Sequence, residues 1–345
     1  MTKNKLFFLG LIIILMIMVY HMASKTKISN TLTIGFCGDV MLGRLVNDII
    51  GTKDYAYPWG NTLSLLHELD MRIINLETTL TNHTEKNPKV FNFRASPDRV
   101  YSLKEAHIDV VNLANNHILD FKEEGCIETL ATLDKAGIYH VGAGLNNAQA
   151  NAPVIITRNG ITIGIFGCTD NEPTWKAQPN KIGTHYIEIG NTDDMTTIKK
   201  QISSLRSQVD IVIMSIHWGP NMKQQPSQLF KDFAHEMINA GVDIFHGHSA
   251  HVFQGIEIYN NKIIMYDTGD FIDDYAVDPL LRNDQSFLFV ITVSKSGPKE
   301  VTLCPVIISN MQVNTAKEKE KMDIIQKMKQ LSLDCNTRLE DNNFY

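Results

Sequence analysis

The sequence has few of the features that mark disulfide-rich, nucleic-acid-binding or repetitive proteins. Its 345 residues include five cysteines at irregular spacing, and no two of them form a C-x-x-C motif. A zinc knuckle, a dithiol redox pair and a disulfide framework are therefore not indicated. Lysine and arginine are not clustered and the net charge is -6, which argues against a nucleic-acid partner. The sequence contains no heptads, internal repeats or low-complexity blocks, so we expect a globular fold.

One long apolar run is present, and it lies at the N-terminus. Residues 6–20 are apolar, with Lys3 and Lys5 before them and Lys25 and Lys27 after them. A retained signal anchor, a cleaved signal peptide and a buried core helix all fit this pattern. His21 occupies a position where a cleavage site would need a small residue. We therefore expect residues 1–27 to be a single-pass anchor in the cell membrane, with the bulk of the chain extracytoplasmic.

From residue 31 onward, strand and helix signals alternate, and this predicts an α/β fold with a mainly parallel sheet and helices outside it. Asn159-Gly160 and Asn260-Asn261 separate pairs of apolar runs, as in hairpins that add antiparallel strands. A sandwich of two sheets flanked by helices is therefore plausible. Residues 316–331 form a polar helical pattern, so we expect segment 313–345 to be a peripheral helix and tail.

Five apolar runs each end at residues that can bind a metal or move a proton. Because ligands gather at the carboxyl ends of strands in open α/β sheets, we expect these residues to converge. Carboxylate, amide and imidazole groups are good ligands for divalent ions. The residues are Asp39, Glu77, Asn116 with His117, His217, and the group His246, His248 and His251.

Each of these residues also has a structural explanation. Asp39 fits a helix N-cap and Glu77 a solvated strand end, whereas His217 fits a buried histidine bonded to backbone. The acidic run that contains Asp270 either adds ligands or forms a solvated loop. Among the nearest basic residues, which are Arg44, Lys89 and Arg94, the last follows alternating phenylalanines and is the best candidate anion clamp.

Seven ordered motifs between Thr31 and Tyr275 resemble the CapA family of capsule and poly-γ-glutamate production proteins, within the calcineurin-like metallophosphoesterase superfamily. The motifs are C-G-D-V-M-L-G-R, I-N-L-E-T, F-N-F-R-A-S-P, L-A-N-N-H-I-L-D, I-H-W-G-P-N, H-G-H-S-A-H and T-G-D-F-I-D-D-Y. The resemblance implies a four-layer α/β/β/α sandwich over residues 28–312. It also implies a site for one or two divalent ions, with Mn, Fe or Zn favoured.

Carried over by position, the resemblance assigns a role to each motif residue. His117 would protonate a leaving group. Apart from the resemblance, we expect Arg44, Arg94 and Asp270 to contact substrate, because they are charged residues within or near these motifs. The implied metal ligands are Asp39, Glu77, Asn116, His217, His248 and His251. Two departures bear on a complete two-metal site. Met41 stands where phosphoesterases have a histidine, and Ser249 and Ala250 separate two histidines that many relatives space more closely.

The function implied by the resemblance is a membrane-anchored metallophosphoesterase that hydrolyses a phosphoester or related bond during capsule or poly-γ-glutamate production. Its substrate would be an acidic polymer or a phosphorylated small molecule. The alternative is a non-catalytic accessory subunit that binds the acidic polymer during synthesis and export. Either protein would have the membrane as a partner, and polymer synthase or export subunits are further candidates.

Overall fold

The computed structural model describes residues 31–345, and the predicted anchor at 1–27 lies outside them. Among the described residues, every helix is too short or too polar to cross a membrane. The strands, numbered in chain order, are β1 (Thr31–Val40), β2 (Met71–Leu76), β3 (Thr79–Leu80), β4 (Arg94–Ala95), β5 (Val110–Asn112), β6 (Tyr139–Val141), β7 (Ala143–Gly144), β8 (Val154–Arg158), β9 (Ile161–Thr169), β10 (Gly183–Thr184), β11 (Ile211–His217), β12 (Ile244–His248), β13 (Ile256–Tyr259), β14 (Lys262–Met265), β15 (Asp270–Ile272), β16 (Gln285–Ser294), β17 (Gly297–Ser309) and β18 (Gln312–Thr315).

The helices alternate with these strands along much of the chain. They are α1 (Arg44–Thr52), α2 (Thr62–His67), α3 (Val100–Glu105), α4 (Lys122–Ala136), α5 (Asn147–Ala150), α6 (Thr192–Arg206), α7 (Gln228–Ala240) and α8 (Glu318–Leu333). Helix α4 ends at Gly137, which adopts the left-handed conformation with φ of 74°, as expected for a glycine that terminates a helix.

Two large mixed sheets form the centre of the fold. The first has the order β18-β17-β16-β1-β2-β5-β6, with β15 also paired to β1, and its β1-β2-β5-β6 part is parallel. The second has the order β13-β14-β12-β11-β9-β8, with β14, β12, β11 and β9 parallel. The antiparallel additions include both hairpins expected from sequence, at Asn159-Gly160 and Asn260-Asn261. All four of these turn residues have positive φ, which is what tight hairpin turns require.

Neighbouring residues of the central strands point into different apolar clusters, and this defines the layers. Ile73 of β2 and Ile213 of β11 belong to one cluster shared by both sheets. The next residue of β2 faces a second cluster with α1, α3 and α4, and Met214 of β11 faces a third with α6 and α7. Because strand side chains alternate between faces, the sheets pack against each other and the helices cover their outer faces.

The C-terminal segment is part of the core, which corrects the expectation of a peripheral tail from residue 313. Strand β18 pairs with β17 at the edge of the first sheet. From α8, Ile324 and Met328 are fully buried in the cluster shared by the sheets, and Leu339 joins them. The helix looked polar because its buried stripe is narrow and its remaining surface carries lysine and glutamate.

Candidate metal centre

Strands from both sheets end at the same place. In the first sheet, Asp39 of β1 lies between Asn75 of β2 and Asp270 of β15 in the strand register. In the second sheet, His217 at the end of β11 pairs with His248 at the end of β12. Adjacent parallel strands hold their last residues at one edge, so the register groups these side chains within each sheet, and the packing of the two sheets brings both edges together.

A first group of possible ligands consists of Asp39, His217 and His248, all of them buried. The Nδ1 atoms of the two histidines lie 3.0 Å apart, and Asp39 Oδ1 is 3.7 Å from that of His217 and 3.6 Å from that of His248. Asn75 Nδ2 donates to the same Asp39 oxygen at 2.7 Å and fixes its orientation. This group offers nitrogen and oxygen ligands around one point.

A second group shares Asp39 and adds Glu77, His251 and Asp270. His251 Nδ1 lies 2.9 Å from Asp270 Oδ1 and 3.6 Å from Asp39 Oδ2. Glu77 connects the groups, because its Oε1 is 3.9 Å from His217 Nε2. Asp270, which we expected to contact substrate, therefore lies at ligand distance from this group. The second group is richer in oxygen than the first, and it suits a hard divalent ion.

Unpartnered buried atoms show that these residues fit a cation. Five of them belong to the two groups or to the adjoining cleft lining and have no hydrogen-bond partner, namely Asp39 Oδ2, Glu77 Oε1, Asn116 Oδ1, His217 Nε2 and Asp270 Oδ2. Buried polar atoms are normally paired, so a concentration of unpaired acceptors is unusual. Within residues 31–345, the ion pairs of Asp39, Glu77 and Asp270 are with histidines, never with lysine or arginine.

The pKa shifts of these residues also indicate a site that suits a cation. Burial and then the charge of Asp39 raise the pKa of Glu77 well above its usual range, and burial with Asp273 and Asp39 does the same for the pKa of Asp270. Burial also lowers the pKa of His217 and His248, which keeps both rings neutral and able to donate a lone pair. Too many acidic groups share too little positive charge, and a bound cation would correct that imbalance.

His117 lies beside the second group and is held by a carboxylate. Its Nδ1 is 2.5 Å from Asp120 Oδ2, its ring stacks on Phe93 at 3.9 Å, and its Nε2 is 3.7 Å from Glu77 Oε1. Burial lowers the pKa of His117 to about 4, and the hydrogen bond with Asp120 opposes that shift. The arrangement orients the ring so that Nε2 is the atom available for proton transfer.

A cleft of about 520 Å³ opens above these residues. His117, Asn116 and His251 lie in its lining, as do the basic residues Arg44 and Lys89. Arg44 pairs with Asp274 and lies over the rings of Phe93 and Tyr275. Its φ of 49° is unusual for a non-glycine residue, and such strain is found where a side chain must be held in place.

The structure does not bring Arg94 into this cleft. Its Nη1 donates to the carbonyl of His83 at 2.8 Å, and its guanidinium lies over the ring of Phe121. The structure therefore gives no support to the predicted anion clamp at Arg94, whereas Lys89, the neighbouring basic residue, does line the cleft. A carbonyl eleven residues away along the chain satisfies Arg94, and a local motif gives no sign of such a contact.

His246 and Met41 have structural roles. His246 Nδ1 lies 3.1 Å from Ser215 Oγ, and its Nε2 is 3.1 Å from the carbonyl oxygen of Cys37, so both ring nitrogens are satisfied. Met41 is fully buried, and its sulfur accepts a hydrogen bond from the Gly43 amide. Phosphoesterases have a histidine ligand at the position of Met41, and the thioether of Met41 does not take the place of that ligand. Asp270 instead supplies an oxygen to the same group.

Two site residues were missed in the sequence. Asn75 holds both Asp39 and the loop after β5, since its Oδ1 accepts hydrogen bonds from Asn112 and Asn115. Tyr275 donates its hydroxyl to Glu77 Oε2 at 3.2 Å and lines the cleft. An asparagine inside a buried apolar strand is the available signal for the first. The contact of Tyr275 spans almost 200 residues and has no local signal.

The fold and this cluster define the class of protein, namely an α/β sandwich with a candidate metal centre where its two sheets meet. The model of the family described as bacterial capsule synthesis protein PGA_cap matches residues 33–275. The chain belongs to that family, which confirms the resemblance to CapA proteins.

Curated relatives carry names that agree with this family. A Mycobacterium tuberculosis protein, named probable polyglutamine synthesis accessory protein, is 33% identical over 81% of this chain and 78% of its own length. The Bacillus anthracis capsule biosynthesis protein CapA is 30% identical over 81% of this chain and 71% of its own. A hypothetical protein from Thermus thermophilus has a solved structure with a TM-score of 0.48 and 13% identity, covering 79% of this chain and 98% of that one.

Proposed function

We propose that this protein is a metal-dependent hydrolase that cleaves a phosphoester or related bond in capsule or poly-γ-glutamate production, outside the cell membrane. One observation carries the proposal. Five unpartnered buried ligand atoms from distant segments belong to the two ligand groups and to Asn116 in the cleft lining, beside the His117–Asp120 pair. A set of unpaired acceptors stabilises nothing by itself, whereas it suits one or two divalent ions and the reaction they assist.

The chain offers enough ligands for two ions that share a carboxylate. Asp39, His217 and His248 would hold one ion, and Asp39, His251 and Asp270 would hold the other. Glu77, which lies beside both groups, would be the shared carboxylate, and Asn116 would be a further ligand. Mn, Fe and Zn fit this mixture of imidazole and carboxylate. When bound, such ions lower the pKa of a water molecule and neutralise charge on the phosphoryl oxygens.

The chain's own residues would bind the substrate and move the proton. Arg44 and Lys89 would hold the anionic group at the mouth of the site, because they are the basic residues of the cleft lining. His117 Nε2 would give its proton to the departing oxygen. The contact of Asp120 with His117 Nδ1 favours the protonated form of the His117 ring, and a phosphoryl anion in the cleft would favour it further. Phe93 would shield that proton transfer from water.

A second candidate is a non-catalytic accessory subunit that binds an acidic polymer and works with synthase or export subunits. The Mycobacterium tuberculosis relative is named as an accessory protein, and this favours the second candidate. So does Met41, which takes no part in either ligand group. In this alternative the same ions would bind polymer carboxylates and no bond would be cleaved.

Metal content and turnover distinguish the two candidates. We expect the purified full-length protein to contain close to one or two equivalents of Mn, Fe or Zn by elemental analysis and to hydrolyse bis(p-nitrophenyl) phosphate. His117→Ala should lower kcat by about 100-fold and keep the metal, as is typical for loss of a proton-transfer group. His140→Ala is the matched control, because His140 pairs with Asp134 away from the cleft. Metal binding without turnover would favour the accessory subunit, and unchanged turnover in His117→Ala would refute the role of His117.

A further inference from the structure

We propose that the cleft takes an amphiphilic phosphoester, with one phosphoryl group at its floor and an apolar chain or ring along its wall, and that it does not take a polyanion. This inference rests on the proposed function, because it names the substrate class of the same site.

The wall of the cleft is apolar and open to solvent. Val90 is 90% exposed and Phe91 is 60% exposed, and both line the cleft next to Pro88. Met222 and Ala276 also belong to the lining. Adjacent large apolar side chains at the mouth of a cleft leave area that a ligand can cover, and exposed patches of this kind mark binding sites.

The loop of residues 276–283 borders the cleft through its two ends, carries exposed apolar side chains beside it, and is held by its own hydrogen bonds. Ala276 and Asn283 both line the cleft, and Val277 and Leu280 between them are 50% and 88% exposed. Asn283 accepts from the Asp278 amide at 2.8 Å and donates to the Ala276 carbonyl at 3.3 Å. Leu280 is therefore held outward by a fixed turn.

Met222 gives a second sign that the wall is a built feature. Its φ is 59°, which is costly for a large side chain, and its amide donates to the Ala250 carbonyl at 2.8 Å. Met222 lies two residues after Pro220, in the loop that follows the strand ending at His217. A backbone conformation of this kind persists where the surrounding structure holds the residue in place, as it often does at binding sites.

The charges of the cleft suit one anionic group. Arg44 and Lys89 are the lysine and arginine residues among the described lining, and both already contact carboxylates. Arg44 pairs with Asp274, and Lys89 Nζ lies 3.0 Å from Asp120 Oδ1 and 3.5 Å from Glu172 Oε1. The buried Nε of Arg44 has no hydrogen-bond partner among residues 31–345. A γ-linked glutamate polymer would bring one more negative charge with each unit, and the wall offers apolar groups in place of further cations.

Binding of alkylphosphonates to the full-length protein tests this inference without requiring turnover. Methyl-, butyl- and octylphosphonate share one head group and differ in apolar length. A fully buried methylene is worth about fourfold in affinity, so we expect octylphosphonate to bind about 30-fold more tightly than methylphosphonate, with partial burial of its chain. Isothermal titration calorimetry in the presence of Mn²⁺ gives the dissociation constants.

Phe91→Ala is the informative variant, because the side chain is exposed and its loss should not affect folding. It should reduce the ratio between octyl and methyl affinities by about fivefold. Tyr139→Ala is the matched control, since Tyr139 is a 50% exposed aromatic residue on β6 outside the cleft lining, and it should keep the wild-type ratio.

Three outcomes separate this inference from the proposed hydrolysis. Chain-length-dependent binding supports the amphiphilic substrate even if octyl p-nitrophenyl phosphate is not hydrolysed, and in that case only the hydrolase proposal fails. Equal affinity for all three phosphonates overturns the inference even if bis(p-nitrophenyl) phosphate is hydrolysed. Displacement of octylphosphonate by γ-glutamate oligomers, with affinity that rises with oligomer length, also overturns it and identifies the polyanion as the ligand.

Discussion

Two regions of this protein bury carboxylates in opposite ways. Asp243, just before β12, is 2% exposed, and it pairs with Arg206 and Lys262 and accepts from the Val212 amide at 2.8 Å. Asp39 and Glu77, at the ends of β1 and β2, are equally buried, and the nearest basic side chains are histidines. The protein itself compensates the charge of Asp243. Asp39 and Glu77 have no lysine or arginine partner among the described residues, and a cation from outside could take that place.

The comparison separates a stabilising ion pair from a binding site. Burying a charge costs several kcal/mol unless a partner offsets it. Around Asp243 the chain supplies two such partners. Around Asp39 and Glu77 it supplies histidines in place of lysine and arginine, and the neutral amide of Asn75 orients one Asp39 oxygen without neutralising it. Substitution of Asp243 should therefore lower stability, whereas substitution of Asp39 or Glu77 should weaken metal binding.

The largest effect is expected at Glu77. Glu77→Gln should lower kcat for a phosphodiester by about 1,000-fold, roughly 4 kcal/mol in activation free energy, because the carboxylate shared by both ligand positions is lost. Metal content by elemental analysis should fall in parallel. The matched control is Glu257→Gln, which changes a buried glutamate already paired with His235 and Tyr266. Equal losses of activity in the two variants would end the distinction between these regions.

Asp243→Asn should act on stability. It leaves Arg206 and Lys262 without their counter-charge, and because both are partly exposed we expect a loss of about 3 kcal/mol in the free energy of unfolding. Urea denaturation measures this loss. Metal content per folded molecule should remain that of the wild type, and loss of metal in this variant would contradict the comparison.

Divalent ions should stabilise the wild-type fold by an intermediate amount. A ligand at about 100 times its dissociation constant adds about 2.7 kcal/mol, and Mn²⁺ should therefore raise the melting temperature of metal-free protein by several degrees. Differential scanning calorimetry with and without chelator tests this. In Glu77→Gln the increase should be much smaller, whereas Asp243→Asn should keep it. Absence of any increase in the wild type would count against a metal centre.

The smallest effect concerns Asp170, a half-buried carboxylate that has no lysine or arginine partner within residues 31–345. Burial raises its pKa from 3.8 to about 6, although the Gly219 amide donates to it at 3.1 Å. The folded state thus keeps a proton that the unfolded chain releases, and stability falls as pH rises from about 4 to 6. Asp170→Asn removes that loss, so the variant should be more stable than wild type by about 1–2 kcal/mol at about pH 7 and equally stable at about pH 3.5. Parallel pH curves from urea denaturation would contradict this.

Local patterns in the sequence were sufficient to predict which candidate ligands lie close together. An apolar run followed by a ligand-type residue specifies a buried strand and its carboxyl end. Parallel neighbours place Asp39 and Glu77 at one edge of the first sheet, and the packing of the two sheets brings His217 to them. The hairpins were predictable for a similar reason, because asparagine and glycine tolerate the positive φ that tight turns impose.

Contacts between distant segments were not predictable in this way. Asp270 was expected at the substrate, yet its pairing with β1 brings it into ligand range. Arg94 was expected to bind an anion, yet the His83 carbonyl already occupies its guanidinium. Helix α8 was expected at the periphery, since the exposed positions around Ile324 and Met328 conceal how deeply those two side chains are buried. In each case tertiary packing determines where the side chains lie, and the neighbouring residues in the sequence do not indicate it.

The junction of the two sheets has a mechanical consequence. Asp39 and Glu77 extend from one sheet, and His217 and His248 from the other, so a shared ion would fasten the two halves of the sandwich at this end. All five cysteines are free and buried, so no disulfide shares this task, and the fastening would be reversible by chelation. Metal supply would then set both how rigid this end of the sandwich is and whether it can react.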